Sequence, residues 1–123
     1  MWEGGLLKEN KREIGAVYEK QAVAFLQEKG YEIVETNFRC RQGEIDIIAR
    51  EGEYLVFVEV KYRKDTRAGS GLEAVDYRKQ QKIIQTARYY LYSRQFGEEI
   101  PCRFDVIGIC PDKITLIRNA FET

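Results

Sequence analysis

The chain has 123 residues, 44% of them apolar, which predicts a single domain that can bury a core without disulfides or a structural metal. Its 20 basic and 20 acidic residues cancel, so the net charge gives no support for nucleic-acid binding, for which a basic domain is the usual footprint. The absence of histidine excludes mechanisms with a histidine base or ligand, and three cysteines without a CxxC spacing argue against a zinc finger or a disulfide scaffold.

No apolar run approaches the roughly 20 residues of a membrane span, and no signal-peptide core precedes a cleavage site. We therefore expect a cytoplasmic protein with no membrane partner. The three cysteines are expected to be free thiols that are buried or partly buried.

The first predicted element is a helix from Glu13 to Lys29, where apolar side chains recur near helical spacing and Gly30 provides a natural stop. Residues 1–12 contain two glycines and turn into a charged stretch. We predict a flexible N-terminal tail over residues 1–12, and residues 13–123 then form the domain.

Glu19 lies on the packing stripe of this helix, together with Gly15, Ala22 and Leu26. An acid on such a stripe needs a reason. Two explanations involve no function: the side chain reaches water from the edge of the stripe, or it pairs with a nearby cation of the same helix. The sequence alone slightly favours these two explanations.

A β-hairpin is predicted from Gly43 to Arg63, which holds two runs rich in Ile, Val and Phe separated by a glycine-containing turn. Tyr31 to Arg39 is predicted to form a strand before it. If the turn consists of Gly52 and Glu53, with glycine first, it is of type II′.

The turn fixes which residues of the hairpin face each other. Glu51 then faces Tyr54, and counting back places Asp46 directly opposite Glu59. Because side chains alternate along a strand, Asp46, Glu59 and Lys61 are predicted to project from one face.

Two opposed carboxylates repel, since their Cβ atoms lie roughly 4.5–5.5 Å apart, and a buried acid without a partner costs several kcal/mol. The simplest neutralisers of Asp46 and Glu59 are a divalent metal ion and Lys61. The alternatives are acids that face solvent, or an acid paired with a lysine for no catalytic reason. Three apolar residues share the predicted face: Ile48, Leu55 and Phe57. They indicate a covered face and favour a metal site.

Beyond the hairpin, the polar stretch from Lys64 to Gly71 is predicted to be a mobile loop, which either closes on substrate or is a plain connector. A second helix is predicted from Leu72 to about Phe96, ended by Gly97. Two strands, Cys102–Ile109 and Lys113–Arg118, complete the chain.

The elements thus follow the order α-β-β-β-α-β-β, which predicts an α/β protein with a mixed sheet flanked by helices. Asp105 interrupts the fourth strand, and we interpret it as structural, paired with Arg103 or another basic residue.

Basic residues flank the hairpin acids in sequence: Arg39, Arg41, Lys61, Arg63, Lys64, Arg67, Arg78, Lys79 and Lys82. Such a cluster is usually a solvated face, and the adjoining acids are what suggest a nucleic-acid backbone instead. Lys79 and Gln80 likewise have two interpretations: their side chains reach a phosphate or a water of the site, or they belong to a solvated polar face.

A family resemblance is carried by Gly43-Glu44-Ile45-Asp46 followed by Phe57-Val58-Glu59-Val60-Lys61 and Arg63. These residues resemble the signature of the PD-(D/E)xK nuclease superfamily, and the surrounding pattern resembles its YraN-like branch, related to archaeal Holliday-junction resolvases. The match runs from about Gly15 to Phe121. Its further blocks are Glu19 with Ala22, Leu26 and Gly30, Asn37 with Arg39, Val75 with Lys79 and Gln80, and Arg103-Phe104-Asp105. Ile45 stands where the superfamily name has proline, a departure that this branch tolerates.

The resemblance implies a restriction-endonuclease-like core in one nuclease-like domain, and a Mg²⁺- or Mn²⁺-dependent endonuclease that hydrolyses DNA, with branched or junction DNA as a candidate substrate. It implies that the metal is held by Asp46, Glu59, the main-chain carbonyl of Val60 and Glu19, which reverses the preference for a structural Glu19. Lys61 would orient or deprotonate the attacking water.

The resemblance also implies phosphate and backbone contacts. Gln80 and Lys79 would steady the scissile phosphate, and Arg39, Arg63 and Lys64 would hold the DNA backbone without reading its sequence. Asn37 is placed near the site, although by itself it is equally a strand-end residue.

The rival hypothesis is a non-catalytic nucleic-acid-binding or protein-interaction module that keeps the nuclease fold. Zero net charge supports it, whereas the intact acid-acid-lysine set argues against it. The sequence leaves open whether the nucleic acid is DNA or RNA, whether it is linear, flapped or branched, and whether a homodimer cuts two strands.

Overall fold

In the residues that the structure describes, two helices and five strands form in the predicted order. The computed structural model describes residues 2–62, 75–97 and 99–122, the side chains of residues 2–13 excepted. The elements are α1 Trp2–Glu28, β1 Glu32–Cys40, β2 Gly43–Glu51, β3 Tyr54–Tyr62, α2 Tyr77–Ser93, β4 Cys102–Cys110 and β5 Lys113–Phe121. The α/β class and a mixed sheet flanked by two helices are confirmed.

The five strands form one sheet in the order β1-β2-β3-β4-β5. The first three strands pair antiparallel, β4 pairs parallel to β3 after the α2 crossover, and β5 returns antiparallel to β4. Strand β3 is therefore paired along both edges. Its residues Leu55 to Val58 are at most 1% exposed, as expected for a strand covered on both faces.

Side-chain alternation along β3 divides the core into two layers. Leu55 and Phe57 pack into the cluster that includes Ile83, Ile84 and Tyr90 of α2. Val56 and Val58 pack on the opposite face, in the cluster that includes Ala22 and Leu26 of α1. The sheet thus lies between the two helices, and each helix buries one apolar stripe against it.

Helix α2 begins at Tyr77 because Asp76 caps it, with the Asp76 carboxylate accepting the Lys79 amide proton at 2.8 Å. Val75 and Asp76 are not helical, so the predicted start at Leu72 was wrong. The helix ends at Ser93, so the predicted end at about Phe96 was wrong as well. Gln95 has φ of 60°, and the Phe96 amide donates to the Leu91 carbonyl oxygen, the geometry of a Schellman cap. A left-handed glutamine therefore ends this helix before Gly97.

Helix α1 begins at Trp2 and not at Glu13, since the helix continues through residues for which no periodicity was evident. Helical structure does not test motion, so the flexible tail over residues 1–12 stays a prediction. The predicted loop from Lys64 to Gly71 lies outside the described residues. Over the described ranges no helix combines the length and apolar composition needed to cross a membrane.

Asp105 is fully buried, and its predicted pairing with Arg103 is confirmed. It also accepts hydrogen bonds from the Tyr31 hydroxyl at 2.7 Å and the Asn119 amide at 3.0 Å. The register of β4 and β5 shifts between Phe104 and Val106, and beyond this shift Phe104 pairs with Phe121. Strand β5 therefore ends at Phe121, past the predicted end at Arg118. Asp105 thus connects β4 to β5 and to Tyr31, between α1 and β1. The three cysteines are free, as predicted.

Candidate functional site

The hairpin turn has the predicted geometry. Gly52 has φ of 59°, and Glu51 faces Tyr54, so the predicted register of β2 and β3 is confirmed. The hydrogen-bonded pairing of β2 with β3 runs from Glu51 and Tyr54 to Ile47 and Val58, where it ends. The next positions in register are Asp46 and Glu59, so both acids stand where the two strands stop pairing.

The pairing of β2 is also interrupted on its other edge at Asp46. Thr36 pairs with Ile47 and Phe38 with Ile45, but Asn37 between them has φ of 55° and forms no pair with Asp46. An asparagine tolerates this left-handed conformation better than most residues. The sheet therefore opens on both sides of Asp46.

This opening changes the direction of the Asp46 side chain. Ile45 packs in the same α2-side cluster as Ile48, although regular alternation would place positions 45 and 48 on opposite faces. Asp46 instead lines a cleft beside α1, with Glu19 and Val60. The prediction that Asp46 and Glu59 both project toward the face of Ile48 was thus wrong for Asp46.

The cleft beside α1 has a volume of about 450 Å³. Its lining residues are Gly15, Ala16, Tyr18, Glu19, Asn37, Arg39, Glu44, Asp46, Val60 and Tyr62. Glu19 lies one turn before the buried Ala22 on α1, so the packing stripe continues into the cleft. Its Oε1 accepts a hydrogen bond from Asn37 Nδ2 at 2.6 Å, and burial raises the pKa of the Glu19 carboxyl.

Asp46 and Glu59 stand at facing positions of β2 and β3, close enough for the charge of Glu59 to act on Asp46. Burial, followed by the negative charge of Glu59, raises the pKa of Asp46 to about 7. The Val60 amide opposes this shift because it donates to Asp46 Oδ2 at 2.8 Å. The two acids therefore form one negatively charged unit that holds a proton near neutral pH.

Glu59 faces α2, and it is 6% exposed. Its Oε2 lies 3.3 Å from Lys61 Nζ and 3.4 Å from Lys79 Nζ, so the predicted pairing with Lys61 is present and Lys79 joins it. Lys61 and Lys79 are themselves partly exposed. The acidic unit thus has the cleft on its α1 side and two cations on its α2 side.

The other predicted site residues lie at different distances from this unit. Arg39 lines the cleft, where its Nε donates to Glu44 Oε2 at 2.6 Å. Gln80 Nε2 donates to the Val75 carbonyl oxygen at 3.0 Å, so it holds the segment leading into α2. Arg63 and Lys64 lie outside the described residues.

Tyr18 and Tyr62 line the cleft and were missed by the sequence analysis. Their rings stack with centroids 4.0 Å apart, joining α1 to the end of β3. The available signal was adjacency, since Tyr18 precedes Glu19 and Tyr62 follows Lys61. Nothing in the sequence indicated that the two rings meet.

The oxygen donors around the opening suit a hard divalent cation. Carboxylates of Asp46, Glu59 and Glu19, with the Val60 carbonyl, are ligands that Mg²⁺ prefers. In the part of the chain that the structure describes, no three side chains of Asp, Glu, Cys or His form a ready metal-binding group. Glu59 is instead paired with two lysines, and Glu19 with Asn37. The proton held by Asp46 marks an excess of negative charge that a cation would relieve.

Comparison with known proteins finds relatives along nearly the whole chain. The model of "Uncharacterised protein family UPF0102" matches residues 18–109. A UPF0102 protein of Lachnoclostridium phytofermentans is 50% identical over 113 residues, covering 92% of this chain and 96% of that protein. One of Legionella pneumophila is 44% identical over 113 residues, covering 90% and 96%. One of Caldanaerobacter subterraneus is 47% identical over 121 residues, covering 93% and 98%.

Proposed function

Because the chain belongs to protein family UPF0102, whose name states no activity, we propose its function from the site: a metal-dependent endonuclease that hydrolyses DNA phosphodiester bonds. One observation carries the proposal. Asp46, which is partly buried, and Glu59, which is buried, are neighbouring carboxylates at an opening of the sheet, and Asp46 holds a proton near neutral pH, with Lys61 beside Glu59. Burying like charges destabilises a fold unless a partner charge or a bound cation neutralises them.

The proposal includes the finer fold assignment, a restriction-endonuclease-like core of the PD-(D/E)xK superfamily. The element order and the central hairpin that carries Asp46 and Glu59 support it. Branched or junction DNA is the candidate substrate, by resemblance. In this proposal the protein works in the cytoplasm, and two copies would cut the two strands of a duplex.

Asp46, Glu59 and Glu19, with the Val60 carbonyl, would hold Mg²⁺ or Mn²⁺, which when bound lowers the pKa of a water ligand and stabilises charge on the phosphorane. Glu19 is kept in place by Asn37 and faces the cleft that Asp46 lines. The Val60 amide fixes one oxygen of Asp46, which orients its second oxygen.

Lysines on the α2 side supply positive charge to a phosphate. Lys61 lies against Glu59, and there it orients or deprotonates the attacking water and neutralises the scissile phosphate. Lys79, held at the same carboxylate, and Gln80, one residue on, steady that phosphate. Arg39 at the cleft, with Arg63 and Lys64, holds the DNA backbone by charge.

A second candidate is a non-catalytic module that keeps this fold. The observation that favours it is the pairing of Glu59 with Lys61 and Lys79, which neutralises one acid from within the protein. Zero net charge is in accord with it. This module would bind nucleic acid or protein without cleaving it.

The test is cleavage of labelled linear, single-stranded, flapped and four-way-junction DNAs by the purified protein with Mn²⁺. Asp46→Asn and Lys61→Ala should abolish cleavage. Asp112→Asn and Lys113→Ala are matched controls, because the same chemical changes fall at the exposed β4–β5 turn, and they should retain it. The preferred DNA then gives the substrate class.

Binding without cleavage on every DNA would support the non-catalytic module. Cleavage that persists in both site variants would point to a contaminating nuclease and overturn the assignment of Asp46 and Lys61.

A further inference from the structure

Helix α2 carries positive charge that the chain as a whole lacks. Tyr77–Ser93 contains no Asp or Glu, whereas the chain has 20 acidic residues. Its four basic residues are Arg78, Lys79, Lys82 and Arg88. Lys79 is paired with Glu59, and the other three are exposed. The outer face of this helix is therefore a local cationic surface on a neutral protein.

Two tyrosines are exposed on the second half of the same helix. Tyr92 is 81% exposed and Tyr89 is 43% exposed. With three polar residues they line a shallow cleft of about 380 Å³ that also involves the β1–β2 turn. We call this cleft the tyrosine surface, and its residues are Gln42, Gln85, Arg88, Tyr89 and Tyr92.

The tyrosine surface and the candidate site are connected through β2 and α2. A Cβ placed on Gly43, the residue after Gln42, would lie 2.9 Å from Thr86 Oγ1, so the β1–β2 turn packs directly on α2. Asp46 follows Gly43 by three residues, about 10 Å along a strand. Lys79 precedes Gln85 by six residues, about 9 Å along a helix. One strand of a few nucleotides can therefore span both.

The side chains of the tyrosine surface suit bases that are not paired. Aromatic faces stack on any base, a guanidinium adds a cation that stacks or meets phosphate, and glutamine amides donate to and accept from base edges. Bases inside a duplex do not offer their faces. Tyrosine and arginine are also common in protein interfaces, but the row of exposed cations without an acid on α2 is complementary to a polyanion.

We propose that the tyrosine surface binds unpaired bases of a nucleic-acid strand whose backbone runs along α2 to the site of Asp46 and Glu59. This inference rests on the proposed function and specifies its substrate class, a nucleic acid with a single-stranded segment next to the cleaved bond. Lys82, exposed on the helix between Lys79 and the tyrosine surface, and Arg78, exposed one residue before Lys79, hold the phosphates of that segment.

The test is fluorescence anisotropy with a labelled oligothymidine of about 12 nucleotides and with a duplex of equal length. EDTA is present, so that binding is measured without cleavage. Tyr92→Ala should weaken single-strand binding by about tenfold, and Tyr92→Phe should nearly restore it because stacking needs only the ring. Arg88→Ala should also make single-strand binding less dependent on salt: the slope of the logarithm of the binding constant against the logarithm of the salt concentration should become shallower by roughly 0.7.

Tyr54→Ala is the matched control, since Tyr54 is 43% exposed at the opposite end of β3 from the site, and it should bind like the wild type. Equal loss of single-strand and duplex binding in Tyr92→Ala would overturn the inference. So would unchanged oligonucleotide binding accompanied by a change in oligomeric state, which would assign the surface to a protein contact.

The outcomes separate this inference from the proposed function. If the wild type cleaves DNA with Mn²⁺ and Tyr92→Ala binds the single strand as tightly as the wild type does, the nuclease proposal is supported and the proposed role of the tyrosine surface is overturned. Loss of single-strand binding in Tyr92→Ala, in a protein that never cleaves, would support the surface and overturn the nuclease. Absence of oligonucleotide binding, together with absence of cleavage on every DNA of the panel with Mn²⁺, would overturn both.

Discussion

Lys79 Nζ lies 3.4 Å from Glu59 Oε2, so an ion pair ties the first turn of α2 to the buried acid of β3. Lys61 approaches the same oxygen at 3.3 Å. A carboxylate with two ammonium groups is a weaker ligand for a divalent cation and a better neighbour for a phosphate. The two lysines therefore have opposite effects on the two components that a nuclease must bind.

Removing Lys79 should separate these effects. In Lys79→Ala, Mn²⁺ affinity should rise by about two- to fivefold because a partly exposed cation no longer repels the metal, while DNA affinity falls. Calorimetric titration with Mn²⁺ and anisotropy with labelled DNA measure the two changes. Lys82→Ala, an exposed lysine of the same helix, should leave Mn²⁺ affinity unchanged. Weaker Mn²⁺ binding in Lys79→Ala would mean that Lys79 positions Glu59 and does not compete for it.

Asp46 should make the protein less stable as pH rises. Its pKa in the folded state is about 7, above the ordinary value of 3.8, so the folded state binds more protons between these values. The contribution of Asp46 to stability is complete below pH 3.8 and is lost as pH rises through 7. The free energy of unfolding of Asp46→Asn should therefore exceed that of the wild type, by a margin that grows by roughly 2–3 kcal/mol from pH 5 to above neutral pH. Urea denaturation at both pH values measures this difference.

Asp112→Asn provides the control for Asp46→Asn, because it removes the same charge from an exposed turn. The difference in unfolding free energy between Asp112→Asn and the wild type should not grow as pH rises. An Asp46→Asn variant equally or less stable than the wild type above neutral pH would mean that Asp46 and Glu59 do not repel in the folded protein.

Gly43→Ala should destabilise the protein by about 1–3 kcal/mol, since the new Cβ would lie 2.9 Å from Thr86 Oγ1. Thr86 is fully buried, and its hydroxyl donates to the Lys82 carbonyl oxygen at 2.7 Å, so it cannot rotate away without losing this bond. The double variant with Thr86→Ala should regain part of the loss. A double-mutant cycle of unfolding free energies tests this, and strict additivity would refute the contact.

Asp105→Asn should cost about 3 kcal/mol, because it removes a fully buried charge that pairs with Arg103 and leaves Arg103 with Glu51 alone. Tyr31 and Asn119 would also lose a charged acceptor. The denaturation midpoint should fall with an unchanged slope against urea. A loss below about 1 kcal/mol, the size of an exposed pair, would show that the buried charge is dispensable.

The hairpin register could be predicted because a two-residue turn leaves no freedom in counting. Gly52 at the first turn position and alternation along β3 were sufficient to place Glu51 against Tyr54. The direction of Asp46 could not be predicted in the same way. It depends on the left-handed backbone of Asn37 in the neighbouring strand and on the Val60 amide, neither of which alternation describes.

Contacts between residues far apart in the chain also could not be predicted from the sequence. Asp105 was predicted to pair with Arg103 or another basic residue, and Arg103 lies only two residues away, whereas Tyr31 lies 74 residues away in sequence. Its position follows from the register of the sheet and the end of α1. Lys79 was predicted to reach a phosphate, and its contact with Glu59 depends on where Asp76 starts α2.

The backbone amide of Val60 donates to a side chain where strand pairing would otherwise continue. Its proton therefore senses whether Asp46 carries a charge. In a two-dimensional nitrogen–proton NMR spectrum, the resonance of this amide would shift as Asp46 titrates and as a cation replaces the proton that Asp46 holds. The fold thus contains its own spectroscopic reporter, one main-chain proton that records the occupancy of the acidic pair without any added label.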